Sequence, residues 1–96
     1  MIQHLVLVRL RHPSGSPGEQ SFLAGCEMLA GIPGVQDFER LQQVHPDGSY
    51  QLAFSMRFAD EAAYAAYRVH PDHLAFVEQV WQPAVEAGQD VDLMRL

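Results

Sequence analysis

The chain has 96 residues, 48% of them hydrophobic and 19% charged, the composition of one small globular domain rather than of a disordered or fibrous chain. Twelve acidic residues against six basic ones give a net charge of -6. All six basic residues are arginines (Arg9, Arg11, Arg40, Arg57, Arg68 and Arg95), scattered rather than clustered, which argues against nucleic acid and anionic membrane as partners.

The first predicted element is a strand, "IQHLVLVRL", residues 2–10. Ile2, His4, Val6, Val8 and Leu10 share one face, and Gln3, Leu5, Leu7 and Arg9 the other. Both faces carry aliphatic residues, the pattern of a strand covered on both sides. The segment lacks a basic n-region and a small-residue cleavage site, so it reads as a strand and not as a signal peptide. No apolar run reaches the roughly 18–20 residues of a membrane span. The expected location is cytoplasmic.

"HPSGSPGEQ" (12–20) supplies a turn and a helix start. Ser16 is the N-cap, Pro17 stands in the first turn and Glu19 occupies the capping-box position. Phe22, Leu23, Cys26, Leu29 and Ala30 then recur at helical spacing. Cys26, the single cysteine, can form no intrachain disulfide, and it reads as a small buried hydrophobe. "GIPGV" (31–35) ends the helix.

Residues 35–44 and 50–58 form a predicted antiparallel hairpin through the Asp-Gly turn of "HPDGS" (45–49). In the second strand Tyr50, Leu52, Phe54, Met56 and Phe58 face one way. "ADEAAYAAYRV" (59–69) is a helix with Asp60 as its N-cap, ending near His70 because Pro71 cannot sit inside it. Asp72 is the expected cap of a following helix carrying Leu74, Phe76, Val77, Val80 and Trp81, with Pro83 kinking or ending it. "QDVDLMRL" (89–96) is expected as a short closing strand.

The order β-α-β-β-α-(α)-β is that of an α+β, ferredoxin-like fold: an antiparallel four-stranded sheet with helices on one face. One domain over residues 1–96 is expected. The two-faced first strand suggests that a partner sheet covers the open face.

Five histidines offer chemistry. His12 and His45 each precede a proline and read as exposed loop residues. His4, on an apolar face, is either a satisfied core residue or a site residue. In "YRVHPDHLAF" (67–76), Tyr67 and His70 stand one helical turn apart and His73 falls in the first turn of the next helix. The positive end of that helix disfavours imidazolium, so a neutral His73 could act as a base near pH 7. The purely structural alternative is a helix corner, with His70 capping carbonyls and Tyr67 packed in the core. A zinc site from His4, His70 and His73 is disfavoured, because two histidines split by a proline lack the i, i+4 spacing of the familiar zinc helix.

"MIQHLVLVRL", "IPGVQDFE" (32–39), "YRVHPDHLAFV" (67–77) and "WQPAVE" (81–86) together resemble the stress-responsive α/β-barrel (Dabb) family over essentially the whole chain. The resemblance implies a homodimer whose two sheets form a shared α/β barrel, the partner being a second copy of the chain. The family includes polyketide cyclases of the olivetolic acid cyclase type, which close a ring by aldol chemistry without cofactor or metal. Carried over residue by residue, His73 would be the base and Tyr67 the hydrogen-bond donor, with His4 in the same cavity. Tyr64, one turn earlier, could replace Tyr67.

The expected function is binding of a small, largely apolar ligand near His4, Tyr67 and His73. Val6, Val8, Phe22, Phe54 and Trp81 are the candidate walls, and each also reads as core. A cofactor-free cyclase or lyase is one alternative, and a non-catalytic stress-response accessory protein a second. A heme- or quinol-related monooxygenase is a third, disfavoured because the Asn/Trp set of the quinol type is missing.

Overall fold

A computed structural model describes residues 1–45 and 49–96. Four strands form one antiparallel sheet in the order β2-β3-β1-β4. They are β1 (Ile2–Leu10), β2 (Gln36–Gln42), β3 (Leu52–Phe58) and β4 (Val85–Met94). Helix α1 (Pro17–Cys26) follows β1 and runs into a 3₁₀ turn, Glu27–Gly31. Helices α2 (Glu61–Val69) and α3 (Pro71–Phe76) follow β3. Beyond α3 the chain widens into a π turn, Val77–Trp81, and closes with a single α-helical turn, α4 (Gln82–Ala84). This is the split β-α-β order expected of a ferredoxin-like fold.

Burial along β1 alternates without a break: Ile2, His4, Val6, Val8 and Leu10 are buried, while Gln3, Leu5, Leu7 and Arg9 are half-buried. The buried set faces the helices, where it meets Phe22 and Cys26 of α1, Tyr67 of α2 and Phe76 of α3 in one apolar layer. Among the described residues the helices pack on this face of the sheet. On the other face the Gln3 amide donates to the Ser55 hydroxyl at 3.0 Å, a cross-strand contact between β1 and β3.

The helix ends follow local chemistry. Ser16 Oγ accepts from the Glu19 N–H at 3.2 Å. The Glu19 carboxylate turns back to the N–H of Gly15, one residue before the cap, so the capping box closes on that neighbour. Pro33 and Gly34 form the turn after α1, with φ of 91° at Gly34 and the Val35 N–H on the Ile32 carbonyl. Proline and then a left-handed glycine are what a type II turn requires. Asp60 caps α2 through the Ala63 N–H at 2.8 Å.

Several expectations need correction. The closing strand is not short and does not start at residue 89. It spans Val85–Met94, because once Ala84 ends the last turn Val85 pairs at once with Leu10. Asp72 does not cap α3; His70 does, its Nδ1 accepting the Asp72 N–H at 3.1 Å. Pro71 forces His70 into an extended conformation, and that geometry suits an N-cap. β3 begins at Leu52, which leaves Tyr50 outside it, and Ala30 is exposed. Pro83 does stand at the helix end, as expected: α4 stops at Ala84 and Val85 is already extended. The π turn before Pro83 opens the backbone near Gln79, the carbonyl against which the proline ring would press. The Asp-Gly of the expected hairpin turn lies outside the described residues.

Candidate functional site

The corner between α2 and α3 is held by two histidines, each through Nδ1. His70 satisfies a donor at the start of α3, and His73 Nδ1 lies 3.0 Å from the Arg68 carbonyl near the end of α2. A carbonyl only accepts, so His73 Nδ1 carries the proton and Nε2 is left with a lone pair. The His73 ring packs on the Tyr67 ring at a centroid distance of 4.5 Å. Burial holds the His73 pKa below the ordinary imidazole range, outweighing the upward pull of the Arg68 carbonyl.

Tyr67 is 2% exposed, and its hydroxyl has no hydrogen-bond partner among the described residues. Burial first, then Tyr64 and Asp90, raise its pKa, so at neutral pH the phenol is a donor. The His4 ring lies 6.3 Å from that of Tyr67 in an edge arrangement. Its Nδ1 lies 2.6 Å from Asp92 Oδ1 and 3.0 Å from the Tyr64 hydroxyl. Strand register explains the first contact, since His4 and Asp92 are direct partners across β1 and β4.

His4, Tyr67 and His73 line one cavity of about 180 Å³ between sheet and helices. An apolar cavity of roughly 150 Å³ holds one benzene-sized ring, so this space suits a ligand of about that size. Val6, Phe54 and Trp81 are among its walls, as expected. Val8 and Phe22 are not; both are buried in the adjoining core, with Phe22 set between Phe54 and Trp81. Trp81 belongs to the π turn and lies against Gly88, where an added Cβ would come within 2.9 Å of the indole. Any side chain at residue 88 would therefore displace this wall.

Sequence reasoning missed Leu29, Met56, Phe76, Val77 and Asp90 as lining residues, and it missed Asp92 as the partner of His4. The strand bounds alone would not have placed the two aspartates: Val85 opposes Leu10, and only the register shift between Leu10 and Arg9 brings Asp90 and Asp92 opposite Val6 and His4. His12 and His45 are exposed, away from the cavity. Among the described residues no three His, Cys, Asp or Glu side chains stand together as a metal-ligand set. Burial pushes the Cys26 thiol up to about 12, which makes it an inert core residue. No helix among the described residues is long and apolar enough to cross a membrane.

The histidine-lined cavity in this β-α-β-β-α-β frame accompanies a match to the stress responsive A/B barrel domain, Dabb, over residues 2–94. The chain belongs to the Dabb family. A Dabb protein of ferredoxin-like fold from Mesorhizobium loti is 45% identical, with a TM-score of 0.93, over 99% of this chain and 96% of that one. A dimeric ferredoxin-like protein of unknown function from Thermobifida fusca shares 23% identity at a TM-score of 0.78, over 98% of this Dabb chain and 90% of its own. A hydroxynitrile lyase from Passiflora edulis shares 16% identity at a TM-score of 0.84, over 99% and 93% of the two chains. At these lower identities the likeness is one of fold. No curated protein matches the chain.

Proposed function

We propose that this Dabb protein is a homodimer whose cavity binds a small, largely apolar ligand and performs cofactor-free proton transfer on it. One observation carries the reading: a neutral imidazole with its Nε2 lone pair free packs, tilted, with its ring centre 4.5 Å from that of a phenol that has no partner among the described residues, beside an unfilled space. The Tyr67 hydroxyl is free to donate to a ligand oxygen placed in that space.

In this reading His73 Nε2 removes a proton from a carbon next to a carbonyl. The C–H electron pair moves onto the carbonyl oxygen, and the Tyr67 hydroxyl donates to the enolate oxygen that forms. In an aldol closure the enolate carbon attacks a second carbonyl, and the proton on His73 passes to the new alkoxide. In a lyase the same groups run the carbon–carbon bond the other way. That a hydroxynitrile lyase is built on the same fold favours including lyase chemistry in this reading.

The homodimer is supported by the face of the sheet away from the helices, where Leu5 and Leu7 stay half-buried between Gln3 and Arg9, and by the dimeric relative. Light scattering on the eluting protein tests it: twice the chain mass of 10.7 kDa is expected, and a monomer contradicts it.

The pocket is tested by a thermal-shift screen of ring-sized ketones, phenols and hydroxy-carbonyl compounds on wild type and His73→Ala. Wild type is expected to be stabilised by a subset to which the variant does not respond. No stabilised wild type, or an equal response of both proteins, removes the basis for the reading and favours a non-catalytic accessory role.

A further inference from the structure

Behind the cavity lies a second, outer cleft of about 410 Å³, lined by Glu61, Tyr64, Arg68 and Asp92 among others. The two spaces share no lining residue, but a short polar bridge joins them. His4 lines the inner cavity, Asp92 and Tyr64 line the outer cleft, and the three side chains meet at His4 Nδ1. The Tyr64 hydroxyl donates to Asp92, 3.0 Å from each carboxylate oxygen. The side chain of His4 is 8% exposed and that of Asp92 44%, so the bridge runs from a buried ring to a solvated carboxylate.

A carboxylate only accepts, so the nitrogen 2.6 Å from it must carry a proton. The Tyr64 proton is already directed to Asp92. That leaves His4 Nε2 as the ring nitrogen without a protein partner among the described residues. We propose that Asp92, which also accepts the Tyr64 proton, is a positioning residue that locks the proton of His4 on Nδ1, so that His4 exchanges protons with the cavity through Nε2 alone. Resting on the proton-transfer function above, the proposal makes His4 a second proton-handling group in the site.

The consequence is a symmetrical arrangement. His73 has its Nδ1 proton engaged by the Arg68 carbonyl, and His4 has its own engaged by Asp92. Both rings therefore meet a ligand through Nε2, and both pack against the Tyr67 ring. Other groups around His4 are Tyr64 and Tyr67 from α2, His73 from α3 and Asp90 from β4. Of these only Tyr64 competes for Nδ1. If Asp92 were removed, the Tyr64 proton would turn to Nδ1 and drive the His4 proton onto Nε2, closing the lone pair to the cavity.

The test needs no ligand. Long-range nitrogen–proton correlation spectra of the full chain, labelled with 15N-histidine, report which ring nitrogen of neutral His4 bears the proton. Wild type is expected to show Nδ1–H. Asp92→Ala is expected to show Nε2–H, and adding Tyr64→Phe to it is expected to abolish that preference. His73 should keep Nδ1–H throughout, which reports an intact corner. A wild-type His4 protonated on Nε2, or an Asp92→Ala variant that keeps Nδ1–H, overturns the proposal. If Asp92→Ala does not fold, the wild-type spectrum and Tyr64→Phe decide: Nδ1–H must persist in both. An unliganded protein can pass this test while the thermal-shift screen fails, so the two readings fall separately.

Discussion

One layer, between the sheet and the helices, holds two different interiors. At one end Val8, Phe22 and Cys26 are almost completely buried, and ring contacts tie Phe22 to Phe54 at 5.8 Å and to Trp81 at 6.3 Å. At the other end, on the same face of β1, His4, Tyr67 and His73 surround a space of about 180 Å³. Filled interiors stabilise, and unfilled ones with polar rims cost stability. The first end is built for folding. The second keeps a hydroxyl and two ring nitrogens unpartnered in a chain small enough to need every contact.

The largest break in that contrast comes from truncation at the filled end. Phe22→Ala should cost about 3–5 kcal/mol, most of the stability of a small domain. Tyr67→Phe at the hollow end should cost less than about 1 kcal/mol, because the lost hydroxyl has no protein partner. Urea titrations of both variants measure the difference, and equal losses would remove it.

Added volume gives the next largest effect. Val8→Leu should cost about 1–3 kcal/mol by overpacking, whereas Val6→Leu, which opens on the cavity, should cost less than about 1 kcal/mol. A larger loss at Val6 than at Val8 would mean that the cavity end is as tightly filled as the core.

The two corner histidines sharpen the contrast further. His70→Ala removes an N-cap and should cost about 1 kcal/mol while leaving ligand response intact. His73→Ala should abolish the response. Loss of ligand response in His70→Ala would transfer the site role to the corner itself.

The smallest effect is pH dependence. Because burial lowers the pKa of His73, the folded chain binds this proton less readily than the unfolded chain. Stability contributed by the neutral ring is therefore complete above the unfolded value of about 6.5 and declines as pH falls below it. Denaturation midpoints across that window should fall less steeply in His73→Gln than in wild type. Identical slopes would mean that the ring titrates as if exposed.

Local chemistry explains why most of the frame is legible from residues alone. The aliphatic run of β1, Ser16 and Asp60 at helix starts and Pro71 at the corner each act over a few residues. His4, Tyr67 and His73 were legible as candidates through the family pattern, and their meeting in one cavity depends on the fold. Asp92 escaped because its role comes from pairing 88 residues away along the chain, a matter of register. Val8 and Phe22 look like cavity walls because an apolar residue carries no sign of whether the space beside it is filled. His70 at a helix end reads as a cap for carbonyls, yet it accepts an N–H, because the extended backbone before Pro71 makes it the N-cap of the next helix.

The central claim is that the hollow end, and not the filled one, receives the ligand. A 1H–13C NMR titration with acetophenone, a neutral ring-sized ketone, tests it most directly when side-chain signals are followed. The account predicts saturable shifts at Tyr67, His73 and Trp81, with Val8 and Cys26 unmoved. Shifts centred on Val8 and Cys26, or no saturable shift at Tyr67 and His73, would contradict it.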